Sequence, residues 1–355
     1  MSFLEVHALT KTFPDGTRAV RGIDLAAEEG EFIVLLGPSG CGKTTTLRMI
    51  AGLEAATSGR IVLGGRDVTS LRPSRRDVGF VFQFYALYPH MTVRDNIAFP
   101  LEAAGMSRRE RAEVVDAVAR GMGIGKLLGR YPRQLSGGDQ QRVSLARAVV
   151  RKPGLYLMDE PLGTLDSARR LELREFIRRR QQEMGVTTIY VTHDQEEAMS
   201  LADRIVVMCD GSICQQGPPM VIYGEPASLF VAEFVGSPGM NFIAGSIASD
   251  GARRCFAPDG SPARVPVEAD SPAGPAMLGI RPEHVGIAAD GPIAGRVVMD
   301  EYQGTSRCVH VDAGFPRNVV ARLPAGHQCA IGSAVRLSLD SSRLRFFDSR
   351  MGQRL

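Results

Sequence analysis

The chain has four lysines, at positions 11, 43, 126 and 152, so its positive charge rests almost wholly on arginine. Its 42 basic and 39 acidic residues leave a net charge of +3, which gives no reason to expect nucleic acid as a partner. The asparagines, Asn96, Asn241 and Asn318, give no N-K-x-D motif, which argues against a guanine-reading GTPase. Six cysteines, at 41, 209, 214, 255, 308 and 329, contain no C-x-x-C pair, so neither a zinc site nor a disulfide framework is expected. No apolar run approaches the roughly 18–20 residues of a membrane helix. The opening Met1-Ser2-Phe3-Leu4-Glu5-Val6 lacks a basic region followed by an apolar one, so no signal peptide is visible and a soluble cytoplasmic chain is expected.

What is present is ordinary in bulk and specific in detail. Hydrophobic residues at 44% and charged residues at 23% describe a globular protein, and 355 residues suggest two domains. One stretch stands out: Gly37-Pro38-Ser39-Gly40-Cys41-Gly42-Lys43-Thr44, placed between the apolar run Phe32–Leu36 and a helix-like segment, Thr45–Ala51. That context makes G-x-x-x-x-G-K-[ST] a phosphate-binding loop. Glycines let the backbone approach a polyphosphate closely, and the following helix adds its positive dipole end. Lys43 would neutralise the β- and γ-phosphates, and the Thr44 hydroxyl would ligate Mg²⁺. Cys41 reads as a small residue filling a loop position rather than as a regulatory thiol.

The rest of the chain alternates in type. Phe3–Leu9 and Val20–Leu25 read as strands around a turn at Pro14-Asp15-Gly16, with Phe13 either a core aromatic or a platform for adenine. Further strands are expected at 60–63 and at Val78–Phe82. Between residues 83 and 134 the pattern reads as a helical insert, with helices at Thr92–Ala104 and Arg109–Arg120. A helix near Gly138 then leads to the strand Leu155–Met158, the helix Ser167–Met184 to the strand Thr187–Val191, and a helix from Gln195 to the strand Arg204–Met208. Such alternation predicts an α/β core with a mainly parallel sheet. From about residue 240, short β-like runs such as Val309–Val311 and Val335–Leu339 predict a small all-β domain, a barrel, with 257–276 as a long loop.

Four residues follow strands at what should be one sheet edge: Gln83, Asp159 with Glu160, and His193. Asp159 is placed to hold Mg²⁺ and Glu160 to polarise an attacking water. Leu135-Ser136-Gly137-Gly138-Asp139 is a second glycine loop opening a helix; it presents N–H groups and a hydroxyl to a phosphate, or is simply a helix capped by Ser136.

Taken together these motifs resemble the ATPase subunits of ABC transporters. Gly37–Thr44 is similar to the Walker A motif, Gln83 to the Q-loop, Leu135–Asp139 to the ABC signature, and Leu155–Glu160 to Walker B. Asp166 matches the D-loop aspartate, His193 the switch histidine and Phe13 the aromatic that stacks on adenine. Tyr85–His90, Tyr190–Gln195, Pro226–Ala232, Gly236–Asn241 and Gly279–His284 resemble the importers of the maltose and glycerol-3-phosphate type.

The resemblance implies a P-loop NTPase core over 1–235 with the helical subdomain at about 84–150, then an OB-like regulatory domain over 236–355. It implies ATP and Mg²⁺, with Gly37–Thr45 and Phe13 on the nucleotide and Thr44, Gln83 and Asp159 on the metal. Glu160, His193 and Gln83 would carry the chemistry. Ser136, Gly138 and Asp166 would face the nucleotide of a second ATPase subunit, in a homodimer or heterodimer. The implied partners are integral-membrane permease subunits and, indirectly, a solute-binding protein, with the chain at the cytoplasmic face of the inner membrane. Imported solutes would be a sugar, a polyol or a glycerol-3-phosphate-like compound. Alternatives are a catalytically weak partner in a heterodimer and an ABC ATPase outside transport. Two positions depart from the family: Asp139 stands where it usually has Gln, and Leu162-Gly163-Thr164-Leu165-Asp166 replaces its usual Ser followed by Asn or Ala. An anionic side chain at 139 is expected to repel a γ-phosphate, partly offset by the helix N-terminus.

Overall fold

A computed structural model describes residues 2–83, 85–163, 165–250, 253–268 and 273–355. The chain divides into two compact units, Met1–Pro219 and Met220–Leu355.

In the first unit three strands are buried throughout. Phe32–Leu36, Leu155–Asp159 and Thr187–Thr192 expose no side chain, as strands covered on both faces must. They lie in a six-stranded sheet in the order Ser212–Gly217, Arg204–Cys209, Phe32–Leu36, Thr187–Thr192, Leu155–Asp159, Val78–Val81. All neighbours run parallel except the hairpin at 204–217. Parallel strands put their carboxyl ends on one edge, which gathers Gly37, Gln83, Glu160 and His193 there. A second, antiparallel sheet holds Arg18–Glu28, Ser2–Thr12, Ser58–Leu63 and Arg66–Asp67. Its inner face (Leu4, Val6, Leu25, Ile61) joins Leu47 and Ile50 of the helix Lys43–Ala51 and Ile33, Leu35 and Leu157 of the parallel sheet in one core.

The helical insert contains Val93–Ala103, Arg108–Gly121 and Gly137–Val149. Thr92 caps the first, and Ser107 with Glu110 forms a reciprocal capping box on the second. Gly121 abuts the helix Ser167–Met184 so closely that a Cβ there would stand 2.2 Å from Phe176. No helix among the described residues is long and apolar enough to cross a membrane.

The second unit is two antiparallel five-stranded sheets around a common apolar core that includes Phe256, Leu278, Val309 and Leu337. Short helices at Pro219–Gly224 and Leu229–Phe234 precede them. This compact unit takes in residues 220–235 as well as 236–355. Arg281, 3% exposed, donates to the carbonyls of Tyr223 and Ala232 at 2.9 Å each and to that of Val235, and stacks on the Tyr223 ring at 4.1 Å. Segment 220–235 is thereby fastened to the β unit. One expectation does differ, the long loop at 257–276. It is overturned at Val265–Val267, which pairs with Arg254–Phe256, and at Gly274, where the strand to Ile280 starts. Pro266 concealed the first of these strands, and proline is tolerated there because the strand is the sheet's edge. Residues 269–272 of that stretch, and Thr164 of the D-loop, lie outside the described residues.

Candidate active site

The P-loop is held by contacts only glycine permits. A Cβ on Gly37 would lie 2.4 Å from the Met208 carbonyl oxygen, and one on Gly42 2.4 Å from that of Ala19. Gly40 and Gly42 also adopt φ of +80° and +99°, the left-handed region. Lys43 is buried at the head of its helix, and its Nζ donates to the carbonyls of Gly37 at 2.7 Å and Pro38 at 2.9 Å. Pro38, Thr44 and Thr45 are half-buried, Ser39 and Gly40 exposed, and Cys41 buried with its Sγ 3.7 Å from Lys43 Nζ.

Thr44 Oγ1 donates to Asp159 Oδ1 at 2.9 Å, so the two expected metal ligands of Walker A and Walker B meet. Burial pushes the Asp159 carboxyl above its ordinary range, the Thr44 hydroxyl opposing this and the neighbouring Glu160 adding to it. A hydroxyl and a carboxylate beside a phosphate cradle are the hard oxygen donors that Mg²⁺ selects, and they leave coordination positions for phosphate oxygens. The residues therefore fit Mg²⁺ bound with a nucleotide.

Glu160 ends the Walker B strand with φ of +46°, a left-handed backbone at a non-glycine residue. Its N–H donates to Val191 O at 3.0 Å, pinning it to the strand that leads to His193. Its Oε1 lies 3.1 Å from His193 Nδ1, and its Oε2 accepts from Gln83 Nε2 at 3.2 Å. Three strand ends thus converge on one carboxylate, as their common sheet edge requires.

The signature residues form a separate group. Ser136 caps the helix Gly137–Val149: its Oγ accepts from Asp139 N–H at 3.2 Å and donates to Asp139 Oδ2 at 2.8 Å. Asp139 also accepts from Arg142, one turn on. Burial pushes its carboxyl up, but the Ser136 hydroxyl and the Arg142 guanidinium together hold it below the usual carboxylate range. A Cβ on Gly138 would stand 3.1 Å from a methyl of Leu165, and Asp166 caps the next helix by accepting from Arg169 N–H at 3.0 Å. Phe13 follows the strand Ser2–Thr12, half-buried, with Lys11 Nζ 5.0 Å from its ring centroid. The same hairpin brings Ala19 against Gly42, which sets Phe13 on an element that touches the P-loop.

Several supporting residues escaped sequence reasoning. Asn96, fully buried, donates to the carbonyls of Tyr88, Met91 and Thr92 and accepts from Tyr88 N–H at 2.8 Å. Arg147 donates to Ala86 O at 2.9 Å and lies over the Tyr88 ring. Together they strap the segment Tyr85–His90 to the helical insert. Arg142, the partner of Asp139, escaped sequence reasoning too, although its i+3 spacing on a helix is a signal that could have found it.

The chain matches the ABC transporter family over residues 20–163, the MalK OB fold domain over 236–285 and the TOBE domain over 278–347. It is 44% identical to the sn-glycerol-3-phosphate import ATP-binding protein UgpC of Pectobacterium atrosepticum, over 100% of both chains. It is 41% identical to the trehalose import ATP-binding protein SugC of Mycobacterium tuberculosis, over 100% of this chain and 98% of that one. Among solved structures it is similar to the ATP-binding cassette MJ0796, dimeric in a post-hydrolysis state with ADP and Pi. That match has a TM-score of 0.58 and 31% identity, over 61% of this chain and 98% of the other.

Proposed function

The chain belongs to the ATP-binding subunits of ABC transporters, and from that premise we propose that it hydrolyses ATP to drive import of a sugar, polyol or glycerol-3-phosphate-like solute through a membrane permease. Similarity along the whole length to import subunits favours this over an ATPase outside transport or a catalytically weak partner. The observation that carries the chemistry is the contact of Glu160 with both Gln83 and His193, beside the Thr44–Asp159 pair.

Lys43, released from the Gly37 and Pro38 carbonyls, turns its ammonium to the β- and γ-phosphates, and the loop N–H groups take phosphate oxygens. Thr44 and Asp159, with Gln83 from the neighbouring strand end, would hold Mg²⁺, which would supply positive charge against the phosphates. Glu160 orients water and accepts its proton, while His193, exposed on the far side of that carboxylate, clamps the γ-phosphate. Phe13 stacks on adenine. Ser136, Gly138 and Asp166 complete the site of a second cassette, so closure of a dimer joins the two groups of residues. Tyr85–His90, held to the insert by Asn96 and Arg147, faces the permease. The subunit works at the cytoplasmic face of the cell membrane, and the OB-like C-terminal region serves regulation.

Glu160→Gln keeps the shape and removes the base. ATP should still bind while turnover falls by about 10²–10⁴-fold, the usual worth of a positioned general base. Steady-state phosphate release with nucleotide binding measured in parallel tests this; near-normal hydrolysis would remove Glu160 from the role.

A further inference from the structure

A carboxylate that this chemistry does not use lies next to the histidine. Glu197, on the helix Gln195–Leu201, is 3% exposed. Its Oε2 accepts from Tyr190 Oη and from Thr192 Oγ1, each at 2.8 Å. Tyr190 and Thr192 alternate along the strand Thr187–Thr192 and so share one face of it. The Thr192 hydroxyl in turn accepts from Asp194 N–H at 2.9 Å. Asp194 closes the circuit, its Oδ1 accepting from the N–H groups of Glu196 at 2.8 Å and Glu197 at 3.2 Å.

The bonds form a ring through Thr192, Asp194 and Glu197, and His193 is the residue left outside it. Its imidazole is 61% exposed and reaches back to Glu160. A hydroxyl has one proton to give. Because Thr192 gives it to Glu197, its lone pairs remain for Asp194 N–H, and the backbone at 193 is fixed from both sides. A buried carboxylate is an expensive way to fill a core position, and apolar residues of similar volume often serve stability as well. That cost argues for a positional role. Asp194 Oδ2 further accepts from Arg170 at 3.1 Å, and Arg170 Nε donates to Leu165 O at 2.9 Å, which ties the ring to the loop preceding Asp166.

We propose that Glu197 is a positioning residue for the switch histidine: through Thr192 and Asp194 it sets the direction in which His193 meets Glu160. The inference rests on the roles given to Glu160 and His193 above. ATP turnover and nucleotide affinity of the full-length subunit assembled with its permease test it. Glu197→Ala should lower kcat on the order of a hundredfold, as expected for a misplaced catalytic group. KM for ATP should stay within about twofold, because binding by the P-loop is not involved. Glu197→Gln, whose amide oxygen accepts the same two hydroxyl bonds, should restore most of the rate. Thr192→Val, which keeps shape and removes the link, should be as slow as Glu197→Ala and gives the same reading if that variant fails to fold. In a Glu160→Gln background, Glu197→Ala should cost nothing further. The inference is overturned if Glu197→Ala or Thr192→Val hydrolyses at the parental rate, if Glu197→Gln is as slow as the alanine variant, or if kcat and ATP affinity fall together. His193→Ala separates the two failures. If it is slow while Glu197→Ala is fast, only Glu197 loses its role; if His193→Ala is itself fast, the reading of the histidine fails and this inference with it.

Discussion

The P-loop group rests on Phe32–Leu36, Leu155–Asp159 and Thr187–Thr192, whose side chains are all buried, and its reactive groups already touch one another. The signature group rests on helix N-termini at Ser136 and Asp166, and there the side chains are spent on local capping. The first is shaped by the core of its own unit. The second keeps its geometry by capping helix N-termini, and Ser136 and Gly137 stay exposed there. A rigid half and a capped, exposed half agree with the shared site proposed above.

Substitutions in the two halves should therefore fail differently. Lys43→Ala removes the ammonium at the head of the P-loop helix, and both ATP binding and turnover should collapse, turnover by about 10²–10³-fold or more. Isothermal titration with ATP beside a phosphate-release assay checks this, and retained affinity would show that the loop N–H groups suffice without the lysine. Ser136→Ala should leave ATP binding to the isolated subunit intact and suppress turnover by roughly 10²-fold, by loss of the hydroxyl proposed to meet the partner's nucleotide. Loss of the cap alone costs about 1 kcal/mol of stability. A variant that merely melts a few degrees lower and hydrolyses normally would reduce Ser136 to a cap.

The same contrast marks how far the sequence could be read. Gln83, Asp159, Glu160 and His193 were legible because apolar runs of strand length ended at each, and a parallel sheet puts all such ends on one edge. Their mutual contact was not legible, since it depends on strand order: Thr187–Thr192 lies between the P-loop strand and the Walker B strand, although it comes last in sequence. Glu197 was invisible because an acidic residue in the first turn of a helix ordinarily faces water. The fastening of 220–235 to the β unit through Arg281 was missed for a like reason, as a buried guanidinium whose partners are carbonyls leaves no pattern in the sequence. The edge strand Val265–Val267 was hidden by its proline.

Asp139 is where the capped half departs from its family, and it offers the finest test. Repulsion of a γ-phosphate was the expectation from an unpaired aspartate, but this one is bonded to Ser136 and paired with Arg142. Asp139→Gln should therefore raise turnover by no more than about threefold, since a charge already paired is worth little more to an approaching phosphate. A larger gain would mean that the pair with Arg142 opens when the dimer closes. Stability gives the complementary sign. The Asp139 carboxyl titrates below the ordinary range in the folded chain, so its contribution is fully present above the unfolded value and is lost as pH falls through the depressed one. Urea denaturation at neutral pH should find Asp139→Gln less stable by about 0.5–1 kcal/mol. The two proteins should converge once acid has protonated Asp139. A gap that persists at acid pH would assign the loss to the altered cap rather than to the charge.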